Sequence, residues 1–248
     1  MNILVCVKHV PDTETAVKIG SDGRSVATQD VNFILNPYDE FALEEALKIK
    51  EARGGEVTLI TLGPEDAKKS LRTGLAMGAD KAIHIVADNL HDSMAVASCL
   101  AQAIENVPFD LILCGKQAVD DDNAQVPIML AEKLNLPGVS AVIKLEIGDG
   151  KATGHREIEG GLEVVETSLP AVISAQKGLN EPRYASLKGI MMAKKKEIAD
   201  SPCASAQPDI EVLDLAYPPS RSGGKIVGEG KDAVPQLIRL LREEAKVI

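Results

Sequence analysis

The sequence predicts an α/β domain built on a parallel sheet, with an antiparallel β excursion and a protruding C-terminal arm. Three observations predict it. Apolar strand-like runs alternate with amphipathic helical stretches up to Leu136, a βαβαβαβα order that implies right-handed crossovers. The first run, Ile3 to Val7, is apolar without alternation, as in a strand covered on both faces. Beyond Leu136 the pattern changes to period-two runs separated by glycine-rich turns, the mark of antiparallel hairpins.

The elements follow in order. "NPYDEFALEEALKIKEARGG" predicts a helix. Asn36 can cap it, Pro37 fits the first turn, and Asp39 and Glu40 favour the positive end of its dipole. Phe41, Leu43, Ala46, Leu47 and Ile49 form its apolar stripe, and Gly54-Gly55 stops it. "VTLITLG" is a strand, Pro64 to Met77 a helix, "KAIHIV" a strand, Asp92 to Asn106 a helix, and "DLILCG" a strand. The next helix is expected from about Ala124 to Leu134. "EPRYASLKGIMMAKKKEI" reads as a loop leading into a short basic helix. Ala199 to Lys231 is rich in Pro, Ser and Gly and reads as an extended arm, and Val234 to Glu244 as a closing amphipathic helix. The expected division is 1–198 for the α/β domain, with a loop at 175–197, and 199–248 for the arm and closing helix.

Bulk composition narrows the function. The chain has 248 residues, enough for one large α/β domain. Tryptophan is absent and aromatics are 2%, so the core is aliphatic. A net charge of −10 argues against a nucleic-acid surface. The four cysteines show no CxxC spacing, and Cys6 and Cys114 lie inside apolar runs. The expectation is a reducing compartment, no disulfide frame and no zinc site. "NILVCVKHV" is too short for a membrane span and lacks a cleavage pattern. The chain is therefore expected in the cytoplasm, or in an organelle matrix after loss of a presequence. His9, His84, His91 and His155 show no metal spacing.

One stretch carries chemistry. "GKQAVDDDNAQVP" follows a strand and precedes a helix, where open α/β sheets bind ligands. The loops "VKHVPD", "TLGPE" and "VADN" end on the same edge. Gly63 and Gly115 allow close backbone approach to a ligand. A phosphate could use N–H groups at the start of the Ala124 helix, with Asn123, Gln125 and Lys116 as further donors. Three carboxylates repel a phosphate, so at least one must point elsewhere. A ribose diol offers a carboxylate two O–H donors. A metal site and a merely solvated helix start remain open as well. There is no GxxxxGK[ST] and no GxGxxG.

"GKQAVDDDNAQ", "NPYDEFALEEALKIKE", "LAMGAD", "HREIEGGLE" and "LNEPRYASLKGIMMAKKK" together closely resemble the β (small) subunit of electron transfer flavoprotein. The resemblance runs in order from Val5 to about Ile198. It implies a Rossmann-like, adenine-nucleotide α-hydrolase-like domain in a heterodimer with an α subunit. It also implies an FAD held mainly by that partner, and in the AMP-containing branch one structural AMP in the β subunit.

By similarity, Gly115, Lys116, Gln117, Ala118 and Val119 wrap the AMP. The three aspartates Asp120, Asp121 and Asp122, then Asn123, Ala124, Gln125 and Val126, continue the loop. Cys6, Asn36, Pro37, Tyr38, Asp39 and Leu62 complete the pocket. "NAQVP" resembles instead the electron-bifurcating branch, where a second FAD replaces AMP. That branch usually has glycine where this chain has Asp121, and "NEPRY" and "REIEGGLE" fit the AMP-containing branch better. Glu157 matches a glutamate near the flavin domain, and Tyr38 an aromatic beside the flavin ring. Leu187 matches the leucine that anchors a dehydrogenase, with Tyr184, Ile190 and Met191 beside it. The basic run Lys194, Lys195 and Lys196 reads most simply as a solvated helix end. The resemblance implies an electron carrier with no catalytic residues of its own. It would link acyl-CoA dehydrogenases to a quinone oxidoreductase, without entering the membrane. A stand-alone adenine-nucleotide sensor is the alternative, and it has no use for the "NEPRYASL" arm.

Overall fold

A computed structural model describes residues 1–87, 92–203, 208–220 and 223–248. The chain divides into two units, Met1–Leu213 and Asp214–Ile248.

In the first unit the sequential strands are β1 (Asn2–Cys6), β2 (His9–Pro11), β3 (Phe33–Leu35), β4 (Glu56–Gly63), β5 (Lys81–Val86) and β6 (Leu111–Gly115). They are followed by β7 (Gly138–Ile147), β8 (Lys151–Ile158), β9 (Gly161–Ser168), β10 (Ala171–Ala175) and β11 (Ile198–Pro202). Nine strands form one sheet in the order β11-β5-β4-β1-β6-β10-β7-β8-β9. Pairing is parallel from β11 to β7 and antiparallel from β7 to β9. The α/β class and the antiparallel excursion are thus as the periodicities indicate. The ribbon of β2 and β3 was not legible, because three-residue strands carry no period.

Helices cover both faces. α1 (Pro37–Arg53) and α2 (Lys68–Met77) pack on one face, where Leu43, Leu47, Leu71 and Leu75 meet Val5, Leu59 and Leu113. α3 (Ser93–Ile104) and α4 (Val126–Lys133) cover the other, where Leu100, Ile104 and Leu130 meet Leu4, Ile60 and Ile112. Asp92 caps α3, accepting from the N–H groups of Met94 and Ala95 at 2.8 and 3.3 Å.

Three expectations need correction. The boundary at 198/199 falls inside β11, which adds itself to the β5 edge, and the first unit continues to Leu213. Asp200 holds that strand by contacts to Lys68 at 2.9 Å and His84 at 3.3 Å, long-range partners that its own segment does not announce. Cys99 and Cys203 form a disulfide with Cα atoms 5.5 Å apart; Cys203, directly after β11, meets a residue 104 positions earlier in the chain. Cys6 and Cys114 are free and buried. Lys196 is not a solvated helix end. Its ammonium donates to the carbonyls of Leu75 and Ala79 at the C-terminus of α2, and burial lowers its pKa. His91 and the end of the "VADN" loop lie outside the described residues.

α5 (Leu187–Ala193) is the short helix expected after "NEPRYAS", with the Ser186 hydroxyl accepting from the Gly189 N–H at 3.0 Å. The segment before it is pinned to α1. Arg183 forks onto Glu44 at 2.7 and 2.9 Å and reaches Glu51 at 2.5 Å, and Asn180 donates to Glu45 and the Phe41 carbonyl, both at 3.0 Å. Glu44 and Glu45 are buried, because α1 lies between the sheet and this segment. Past Arg183 the apolar side chains turn outward: Tyr184 is 98% exposed, Leu187 83% and Met191 70%.

The second unit holds a 3-10 turn, Lys231–Ala233, and α6 (Val234–Glu243), whose Arg239 and Glu243 pair at 2.9 Å. Among the described residues no helix is long and apolar enough to cross a membrane.

Arg183→Ala is expected to lower the unfolding free energy by about 2 kcal/mol, since it strips partners from the buried Glu44. Arg183→Lys will recover only part of that, because an ammonium cannot reproduce the fork. Urea unfolding of the three proteins checks both.

Candidate functional site

The sheet's strand order reverses between β1 and β6: the chain leaves β1 toward β4 and β5, then returns to β6. Adjacent strands whose following segments part in this way leave a crevice beyond their carboxyl ends. Cys6 and Cys114 are register partners at those ends.

The N-terminus of α1 plugs the fork. Asp39 is buried and accepts from the Lys8 N–H at 2.7 Å and the Gly115 N–H at 3.0 Å. It therefore ties the exits of β1 and β6 to one helix. A Cβ on Gly115 would overlap Asp39 Oδ1 and come within 2.7 Å of the Tyr38 carbonyl carbon. Gly115 is therefore a glycine for the approach of α1, not of a ligand. Burial pushes the Asp39 carboxyl up to about 7, against the lowering effect of the Lys8 N–H, the Asn36 side chain and the Gly115 N–H.

Asn36 does not cap α1 with its side chain. Its amide instead donates to the Gln117 carbonyl at 2.9 Å and accepts from the Val119 N–H at 3.2 Å. It holds the first part of the 115–126 loop. Pro37 occupies the first turn of α1 and Tyr38, beside it, is half-buried.

Each aspartate has a partner within the chain. The Lys8 ammonium lies 2.8 Å from Asp120 Oδ1 and 3.0 Å from Asp121 Oδ2. Asp121 also accepts from the Asn123 N–H at 3.3 Å, and Asp122 from the Gln117 amide at 2.6 Å. The Asp122 N–H reaches back to the Ala118 carbonyl at 2.9 Å. Burial works against the Lys8 charge, but Asp120 and Asp121 outweigh it and raise its pKa. Among the described residues no group of three His, Cys, Asp or Glu side chains could hold a metal ion.

The helix expected from Ala124 starts at Val126. Asp122 and Ala124 have φ of 51° and 53°, so the chain cannot be helical there. Ala124 is left-handed and Gln125 right-handed, an alternation of the kind that can turn successive N–H groups the same way. Asn123 reaches the Ser93 hydroxyl at 3.5 Å, and the Lys116 N–H bonds the Ala175 carbonyl at 2.8 Å. Cys6, Leu62 and Val126 share one apolar cluster on the α3–α4 face.

The crevice thus gathers residues 6, 36–39, 62 and 115–126. It does not gather the others. Glu157 pairs with Leu162 near the tip of the β8–β9 hairpin, and Tyr184, Leu187, Ile190 and Met191 lie on or beside α5. Lys8 is the residue that sequence reasoning missed. Its only signal was position, a lone cation two residues past the first parallel strand.

A model of the electron transfer flavoprotein domain matches residues 24–205. The chain belongs to the electron transfer flavoprotein family. It is 42% identical to the electron transfer flavoprotein subunit beta of Syntrophomonas wolfei over all of its own length and 98% of that protein. It is 40% identical to those of Bacillus subtilis and, as a mitochondrial protein, Arabidopsis thaliana, over the full length of both chains. The resemblance found in the sequence is therefore to its own family, of the β-subunit type. Within this electron transfer flavoprotein chain the three aspartates hold their own loop.

Asp39 sets a pH dependence. Its folded value of about 7 stands above the ordinary 3.8, so between these limits the native chain keeps a proton that the unfolded chain has released. The stability this contributes is full below about pH 4 and is withdrawn as pH rises through about 7. Asp39→Asn is expected to flatten the fall in urea midpoint between those values, measured against the parent protein.

Proposed function

We propose that the chain is the β subunit of a heterodimeric electron transfer flavoprotein of the AMP-containing branch. It works in the bacterial cytoplasm or the mitochondrial matrix. In this reading it carries no catalytic group. It accepts electrons from acyl-CoA and related dehydrogenases through an FAD shared with, and held mainly by, the α subunit. It passes them to a quinone oxidoreductase at the membrane.

The observation that carries the nucleotide part is the crevice at the strand-order reversal, closed by the loop 115–126. Its donor set fits a mononucleotide. Lys8 and Lys116 supply positive charge, the 124–125 turn can supply N–H groups, and the cluster of Cys6, Leu62 and Val126 supplies an apolar wall. Asn36 and Asp39 hold that frame from below. "NAQVP" favours a second FAD instead, but the Asp121 side chain, paired with Lys8, stands where that branch usually has glycine.

The bound flavin supplies one- and two-electron transfer; this chain's part is to dock and orient. Glu157, at the hairpin tip, faces the flavin-bearing domain in this reading, and Tyr38 stands beside the flavin ring. α5 offers Leu187 and Met191 to the dehydrogenase, while Gly189 packs against α2, where a Cβ would overlap the Ala76 carbonyl. One helix thus has a face that fixes it and a face that remains open, an arrangement suited to helix-in-groove recognition.

Denaturing the purified heterodimer and separating its nucleotides is expected to yield about one AMP and one FAD. Two FAD and no AMP would replace this reading by the bifurcating one. Leu187→Ala is expected to leave folding and both nucleotides unchanged. It will weaken dehydrogenase docking by about 2 kcal/mol, read as slower flavin reduction by an acyl-CoA dehydrogenase with normal reduction by dithionite.

A further inference from the structure

We propose that Lys8 is the residue that selects a phosphorylated ligand in the 115–126 crevice, and that Asp120 and Asp121 serve to position it. This rests on the nucleotide reading above and adds the group that recognises the ligand's charge.

The geometry fixes Lys8 at both ends. Its N–H is held by Asp39 at 2.7 Å, and its carbonyl accepts from the Asn36 N–H at 3.0 Å. Its ammonium is held by Asp120 and Asp121 at 2.8 and 3.0 Å. A lysine held in this way has surrendered its rotamer freedom before any ligand arrives, so little further ordering opposes binding. An ammonium has three donors. Two are given to the carboxylates, and the third is left for a phosphate oxygen. The side chain remains 40% exposed, so that donor can be reached.

Charge makes the same demand. The loop carries Asp120, Asp121 and Asp122 against one cation of its own, Lys116. Among the described residues, the Asp122 carboxylate is answered by the neutral Gln117 amide. A phosphate entering beside these carboxylates is repelled unless a cation stands among them. Among the described residues Lys8 is the cation in contact with Asp120 and Asp121. Removing it exposes a phosphate to both carboxylates, whereas adenosine, which has no phosphate, meets no such penalty.

The test uses the heterodimer freed of AMP but with its FAD retained, titrated separately with AMP and with adenosine by calorimetry. In the parent protein AMP is expected to bind more tightly than adenosine. Lys8→Met is expected to weaken AMP by about tenfold or more while changing adenosine by less than about threefold, since only a charged hydrogen bond is lost. Lys8→Arg is expected to restore most of the AMP preference. Circular dichroism and retained FAD verify that each variant is assembled. Equal losses for both ligands would reduce Lys8 to a loop-holding residue and overturn the proposal. Unchanged AMP binding in an assembled Lys8→Met variant would overturn it too, with the nucleotide reading intact. A parent heterodimer that binds neither ligand would overturn the nucleotide reading itself, and this proposal with it.

Discussion

One buried carboxylate organises the functional edge of this protein. Asp39 accepts from the carboxyl ends of two different strands, from Lys8, two residues past β1, and from Gly115, the last residue of β6. A parallel sheet whose strand order reverses opens a gap at that place, and the backbone groups at its floor lose their ladder partners. Asp39 supplies acceptors where the ladder stops. It can do so only because Gly115 lacks a side chain and lets the start of α1 descend between the strands. Much of the crevice depends on this joint: the exit path of Lys8, the placement of Asn36 and, through Asn36, the course of the loop above.

The three consecutive aspartates are explained in the same terms. Acidic residues before a helix ordinarily favour its dipole. Here α4 begins only at Val126, after two left-handed residues, so the aspartates precede a turn and not a helix. Asp120 and Asp121 face Lys8, and Asp122 faces Gln117. The cluster is closer to an internal truss than to a row of ligand-seeking acids. A strongly anionic segment can thus hold its charges against its own chain, with no ligand needed to explain them.

The sheet-forming runs, α1 to α3, the hairpins and the Ser186 cap were legible, because each depends on a periodicity or a local bond. What escaped depends on distance in the chain. Asn36 looks like a helix cap until Gln117 and Val119 are placed beside it. Lys196 looks like a solvated basic residue until the end of α2 offers it carbonyls. β11 became a strand because β5 presented a free edge, and Lys8 gained meaning only when Asp120 and Asp121 were folded back over it. The residues placed around the strand-order reversal were named from a family resemblance; their contacts with one another were not. A motif records which residues occur together and leaves open which of them hold the others.

The exposure of Tyr184 has an optical consequence. The chain has no tryptophan and three tyrosines, so its ultraviolet emission rests on very few rings. Tyr184 is almost wholly in water and Tyr217 is 61% exposed, while the aliphatic interior contains none of them. Melting the core therefore changes the surroundings of Tyr184 very little. Covering the arm changes them completely. Unfolding is registered by the half-buried Tyr38, whereas the emission of Tyr184 reports whatever covers α5.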